Sequence, residues 1–409
     1  MVNRMAAVDP ATERKVAFPR LRAGRGAPSP EEVARHQKAR LEGAMVIAVA
    51  RHGYADTSLR ELVGIAGVSK SAFYEHFESK EECFFATFDE IVAETGRRVG
   101  EAYRGPADFR QKLLAALEVF MAMACEQPEA ASLAAVESLT LGAAGVEHRE
   151  RASAVFETLV GQSFDHSPSP TPVSPLTVRA IVAGIRGVAY RRLRRREEAQ
   201  LPGVSEQLVD WALGYQAEPS EAVARAMRAA AEPPAPTSSP AGEGSLPGWE
   251  EPTDSPRSRE LLSSRERTYR AAAKLAVEHG YAALSIPAIS AAAAISNKTF
   301  YKEFESKRDA FLAAFEELAG EAFTATAAAM ADAPGRPEAI GRAVRALLSH
   351  LAANELFARL AFFELACAGP PAMDRADAVL DGFTALVDPG EEEGAGLPMV
   401  LREAVGSGV

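Results

Sequence analysis

The chain has 409 residues, of which 47% are hydrophobic and 25% charged, and its net charge is −11. That length suits two or more domains, and the balance of apolar and charged residues is ordinary for a globular protein. The acidic total excludes a protein that coats nucleic acid through bulk positive charge, although it permits a local basic face.

Only 7% of residues are aromatic and alanine is abundant, so the expected fold class is all-α. Residues 1–30 mix Arg, Pro and Gly without period and are expected to form a disordered basic arm. Arg4, Arg14, Lys15, Arg20, Arg22 and Arg25 are not followed by the apolar run of a secretory signal. No run of 18 or more apolar residues occurs, so no membrane partner is expected. Cys83, Cys125 and Cys367 lie far apart, which reads as reduced thiols of a cytoplasmic protein, with no metal and no cofactor.

A helical pattern starts near Pro30. Leu41, Met45, Ala48 and Val49 form an apolar stripe that ends at His52-Gly53, where glycine can cap a helix. Ser58-Leu-Arg-Glu61 has the form of a capping box and opens a second helix with Leu62 and Ile65 inward. Ala66-Gly67-Val68-Ser69 predicts a tight turn with Gly67 left-handed. Ser69 caps a third helix, Lys70–Phe77, anchored by Phe73 and Phe77 at i and i+4. Ser79-Lys-Glu-Glu82 is a further capping box that opens a fourth helix. Two short helices joined by a glycine-bearing turn make a helix-turn-helix. Its third helix is expected to expose Lys70, Ser71, Tyr74 and His76 to a major groove. Lys80, in the first turn of the fourth helix, opposes the helix macrodipole, so an external phosphate is its expected partner.

The whole block returns. HGYADTSLRELVGIAGVSKSAFYEHFESKEECF (His52–Phe84) reappears without a gap as HGYAALSIPAISAAAAISNKTFYKEFESKRDAF (His279–Phe311), at an offset of 227 residues (279 − 52). The offset holds farther on, placing Glu137 opposite Glu364 and Phe156 opposite Phe383. It slips to 224 near the end, where Ala180 and Ile181 meet Ala404 and Val405. The first copy then continues through two more helices, Arg186–Arg196 and Pro202 to about Tyr215, which the second copy is expected to lack.

GVSKSAFYEHFESKEECF, preceded by HGYADTSLREL, resembles the N-terminal domain of TetR-type transcriptional regulators, and Gly184–Tyr215 resembles their last two helices. The resemblance implies a ligand-responsive regulator, usually a repressor, that binds double-stranded operator DNA through the helix-turn-helix 57–76. An unidentified small-molecule effector would occupy the helical C-terminal domain, shifting the spacing of reading heads away from one DNA turn of roughly 34 Å. The implied homodimer forms through residues 176–216. Carried over by position, Ser69, Lys70, Ser71 and Ala72 are base-reading residues, and Tyr74, His76 and Lys80 contact phosphate. In the second copy, helix-turn-helix 284–303, the corresponding DNA-binding residues are Asn297, Lys298, Thr299, Tyr301 and Lys307.

The second copy departs from the pattern at Ala294, which replaces the turn glycine, and at Glu303, which replaces His76. The alternative reading is therefore that copy two is a pseudo-partner or protein-interaction module without DNA binding. The expected domains are a DNA-binding domain at 34–94, an effector and dimerisation domain at 95–228, and a Pro/Ser/Gly-rich linker at 229–260. A second DNA-binding domain follows at 261–321, then a shorter helical domain at 322–409. Ser167–Pro175 reads as a loop between helices. The arginines at 191, 192, 194, 195 and 196 read as a helix C-terminus partly neutralised by Glu197 and Glu198. Trp211 and Phe156 are candidate pocket residues, while Phe357, Phe362 and Phe363 read as core. No Gly-rich phosphate loop, H-E-x-x-H or nucleophile elbow occurs, so no enzymatic activity is expected.

Overall fold

A computed structural model describes residues 29–105, 108–169, 171–218, 221, 223–224, 262–387 and 400–401, and the expected arm up to residue 28 and the whole of the expected linker lie outside them. The chain divides into two compact units, one ending at Tyr215 and the other beginning at Gln216. All regular structure among the described residues is helical, and no helix there is long and apolar enough to cross a membrane.

Unit one opens with α1 (Pro30–Asp56), where Ser29 and Glu32 close a full capping box and Pro30 occupies the first turn. The helix breaks at Gly53, whose φ of 77° and ψ of 165° are non-helical. Next come α2 (Leu59–Ala66), α3 (Lys70–His76) and α4 (Lys80–Arg104). The serines at 58, 69 and 79 each accept a backbone N–H at the third helical position. The two boxes read at Ser58 and Ser79 close only halfway. Glu61 turns to His52 (3.2 Å), and Glu82 accepts from the Glu78 N–H (2.5 Å). Gly67 takes the left-handed cap between α2 and α3 (φ 63°, ψ 37°).

The core of this head is the apolar stripe of α1 closed by Leu62, Phe73, Phe77, Phe84 and Phe88. Leu133 joins it from the next domain, so head and helical body share one core. The body consists of α5 (Phe109–Glu126), α6 (Pro128–Ala135), a 3-10 turn (Glu137–Leu141) and α7 (Gly142–Asp165). These are followed by α8 (Pro175–Arg194), a 3-10 turn (Glu198–Val204) and α9 (Ser205–Gly214). Ser174 caps α8 with Pro175 in its first turn, so the proline-rich stretch before it ends as a helix start. At the other end of α8, Arg191 and Arg192 are buried, and Arg192 donates to Glu197 and Gln200 (both 2.9 Å).

Unit two repeats the first four helices as α10 (Ser264–His279), α11 (Ile286–Ala292), α12 (Asn297–Glu303) and α13 (Lys307–Met330). Ser263 and Glu266 form a full capping box, so α10 begins just past residue 260, where the expected linker ends. Its core matches the first position by position: Ile289, Phe300, Phe304, Phe311, Phe315 and Leu360 stand where unit one has Leu62, Phe73, Phe77, Phe84, Phe88 and Leu133. Ala272 replaces Met45, and Tyr269, in the place of Glu42, adds volume to the same core. Ala294 adopts the left-handed conformation of Gly67, at φ 53°.

Among the described residues, unit two continues with α14 (Arg336–Ala353), α15 (Glu355–Arg359), a π turn (Leu360–Glu364), α16 (Leu365–Cys367) and α17 (Pro370–Val387). Phe357 is core, but Phe362 and Phe363 are not: they stand 59% and 38% exposed. At about 100° per residue, Phe362 and Phe363 stand roughly 140° and 120° around the helix from Phe357, so the helical period already separates them from its face, and both lie within the π turn.

Candidate nucleic-acid interface and ligand cavity

The face of α3 opposite Phe73 and Phe77 carries the polar side chains of the first head. Lys70 and Ser71 are exposed, and Tyr74 is 53% exposed with its ring edge-on to Phe73 at 5.5 Å. Lys70 Nζ lies 5.8 Å from the Tyr74 ring centre, so cation and phenol share one surface. Ser69 is also exposed, but its hydroxyl is occupied as the cap of α3, accepting from the Ala72 N–H at 3.0 Å. Ala72 itself is buried and packs inward, which removes its side chain from the expected base-reading set. His76 is half-buried, with Nε2 3.2 Å from Gln37 Oε1 on α1.

Lys80 is placed differently from the sequence-based expectation. Its ammonium turns back to donate to the carbonyls of Tyr54 (2.8 Å) and Thr57 (2.9 Å), with the Tyr54 ring 4.1 Å away. Burial lowers its pKa, and the same burial pushes the Tyr54 phenol up to about 12. The Lys80 ammonium is thus met from within the chain, because the broken end of α1 turns its carbonyls toward it, that of Tyr54 also accepting the Thr57 N–H at 3.2 Å.

Unit two repeats this arrangement. Lys307 donates to Tyr281 (3.4 Å) and Leu284 (2.8 Å), and burial lowers its pKa too. Asn297 and Lys298 are exposed, and Tyr301 is 61% exposed. The Thr299 hydroxyl is engaged with Ser296 (2.9 Å). Glu303 accepts from the Ser264 hydroxyl (2.7 Å), which ties it to α10 as His76 is tied to α1.

One connection escaped the sequence reading. Glu137 Oε2 accepts from the Tyr54 N–H at 3.0 Å, and Glu364 Oε2 accepts from the Tyr281 N–H at 2.6 Å. Each carboxylate spans 83 residues to the amide that follows the broken glycine, Gly53 or Gly280. Burial raises the Glu137 pKa against the lowering effect of that hydrogen bond. The only sequence trace of this contact is that both glutamates keep the repeat offset.

Behind the first head, α4 to α9 line a partly open cavity of about 410 Å³, within the size range of small-molecule sites. Phe156 lines it and meets Phe120 edge-on at 6.1 Å. Trp211 does not line it, packing instead against Tyr215 (5.6 Å) and the cluster around Phe164 and Ile181. Four alanines of α6, at 130, 131, 134 and 135, form one wall immediately before Glu137. Arg149 and Arg186, neither singled out from sequence, also line the cavity.

The two heads define the class of protein: a helix-turn-helix fold with a capped, outward-facing reading helix, present twice in one chain. The sequence model for bacterial regulatory proteins of the tetR family matches residues 46–96 and 269–314. The chain therefore carries two TetR-type DNA-binding segments, one in each unit. It is 40% identical over 68 residues to the HTH-type transcriptional activator FasR of Mycolicibacterium smegmatis (strain ATCC 700084 / mc(2)155), a match spanning 17% of this chain and 31% of that relative. Two solved structures to which it is similar are the fatty acid degradation regulator FadR from Bacillus halodurans and a TetR-like transcriptional regulator from Rhodococcus sp. RHA1. The first is 15% identical with a TM-score of 0.39, covering 43% of this chain and 97% of that one. The second is 19% identical with a TM-score of 0.39, covering 46% and 99%.

Proposed function

We propose that the protein is a sequence-specific DNA-binding transcriptional regulator whose first head enters the major groove through α3. The observation that carries this reading is the exposed polar face of α3, with Lys70, Ser71 and Tyr74 outward over an aromatic anchor of Phe73 and Phe77. In this reading Lys70 and Ser71 meet base edges or phosphates, Tyr74 meets phosphate, and the N–H groups at the start of α3 point toward the backbone. Lys80 and Lys307 hold the heads together first, and reach DNA only through the N–H that their carbonyl partners leave over.

Asn297, Lys298 and Tyr301 in the second head support the same role there, since the core and caps beneath them match those of the first. The cavity bounded by α4 to α9 serves as the effector site, and two copies of the chain associate through α8 and α9. Exposed Leu176 on α8 and Tyr215 just past the end of α9 supply apolar surface for that contact. The family resemblance implies repression, whereas the FasR relative is named an activator. A reporter driven by the DNA upstream of the protein's own gene separates the two signs. A mobility-shift assay on that DNA tests the central reading. Absence of salt-sensitive binding there, and at sequences selected from a random pool, overturns it.

A further inference from the structure

The cavity of unit one has an apolar wall with two cations set into it. Arg149 on α7 and Arg186 on α8 stand close enough for the Arg149 charge to depress the ionisation of Arg186. Desolvation is the larger cause, and together they bring the Arg186 pKa down to about 10. Burial lowers that of Arg149 as well. Arg149 Nε is buried without a hydrogen-bond partner. Arg186 Nη1 donates to the Ser153 hydroxyl, a neutral group, and no ion pair joins either arginine to a described carboxylate. Glu157, which faces Arg186 from α7, is engaged by Arg179 at 3.6 Å. Glu94, which lines the same cavity from α4, is engaged by Arg97 and Arg98.

Glu150 also attracts both arginines, but it is exposed and hydrogen-bonds to neither. Two guanidinium groups withdrawn from water without a paired anion are costly to fold around. The cost is recovered when a ligand brings the missing charge, and a guanidinium is suited to a carboxylate or phosphate because its N–H groups match them in pairs. Phe88, Phe120, Phe156 and the alanines of α6 make most of the remaining wall apolar, with Glu90, Thr95, Tyr103 and Gln127 as polar exceptions. We propose that this cavity binds an amphiphile with an apolar tail and an anionic head, carboxylate or phosphate, and that Arg149 and Arg186 hold the head. The proposal deepens the reading of this cavity as the effector site by naming the ligand class.

The test is calorimetric titration of the full chain, without DNA, with three probes of one tail: palmitate, the matching alkyl phosphate and the matching alcohol. At least one anion is expected to bind about tenfold or more tightly than the alcohol, and Arg149→Gln or Arg186→Gln removes that margin while sparing the alcohol. Preference for one anion over the other identifies the head group. Both ligand-free variants are expected to melt at or above the wild-type temperature, since each loses an unpaired charge. That result also excludes misfolding as the cause of lost binding. Equal binding of the alcohol, undiminished anion binding by both variants, or no binding of either anion overturns the proposal. Mobility shifts with the same variants keep the DNA question separate, because the reading heads are untouched by these substitutions.

Discussion

Replacing Glu137 with alanine removes the acceptor that holds the broken end of α1 to the body of unit one. Because Gly53 leaves helical geometry, the Tyr54 N–H finds its partner in the Glu137 carboxylate, 3.0 Å away. A donor left without an acceptor costs about 1–3 kcal/mol, and the lower end applies because both residues are only partly buried. A loss of about 1 kcal/mol lowers the melting temperature of a unit of this size by roughly 2–4 °C. Glu137→Gln retains an acceptor oxygen and is expected to lose less than Glu137→Ala.

The pH dependence supplies a sign. Burial raises the folded pKa of Glu137 above its ordinary value, so the folded state binds the proton more tightly than the unfolded chain. Its stabilising contribution is complete below the ordinary carboxylate pKa and is lost as pH rises through the raised value. The wild type is therefore expected to lose stability relative to Glu137→Gln over that interval. Hydrogen exchange at the Tyr54 amide reads the contact directly, apart from the melting of the second unit. Unchanged protection at that amide in Glu137→Ala, together with an unchanged melting temperature, refutes the reasoning. The same carboxylate adjoins the cavity wall of α6, so Glu137→Ala is also expected to weaken the coupling between ligand and DNA binding while leaving ligand affinity intact.

Other substitutions address the heads. Ala294→Gly is expected to stabilise unit two by about 1 kcal/mol, because Ala294 holds φ at 53°; a neutral or destabilised denaturation midpoint contradicts this. Lys80→Ala is expected to cost about 1–2 kcal/mol of stability through two lost charge-assisted hydrogen bonds, seen in thermal melts before any effect on DNA is considered. Lys70→Ala is expected to preserve the melting temperature, weaken operator binding and reduce the salt slope by about one phosphate's worth. Lys298→Ala makes the parallel measurement for the second head, and an unaltered affinity and footprint there would assign DNA recognition to the first head alone.

Much of each head was legible because its determinants are local. A serine three residues before the N–H it accepts, a glycine at a left-handed cap, and phenylalanines at i and i+4 act over one turn of chain. Ser69, Gly67, Phe73 and Phe77 accordingly stand where the pattern placed them. Side chains long enough to choose among several partners were not fixed in this way. From the sequence, Lys80 faces an anion at a helix start, but folding brings two carbonyls of α1 closer to it. Ala72 lies next to exposed Ser71 and still points inward, because in a seven-residue helix a single position separates the two faces.

The sequence by itself determined that a helix-turn-helix unit occurs twice, where its helices begin, and which aromatic residues anchor them. Periodicity of 3.6 residues and capping chemistry are properties of the chain a few residues at a time. Only the tertiary structure decided that Glu137 and Glu364 reach back 83 residues to a broken helix. The same holds for Arg149 and Arg186, which share one largely apolar cavity. Those outcomes depend on how each helix is rotated against partners distant in sequence, and that rotation is set by the packed core rather than by any segment alone.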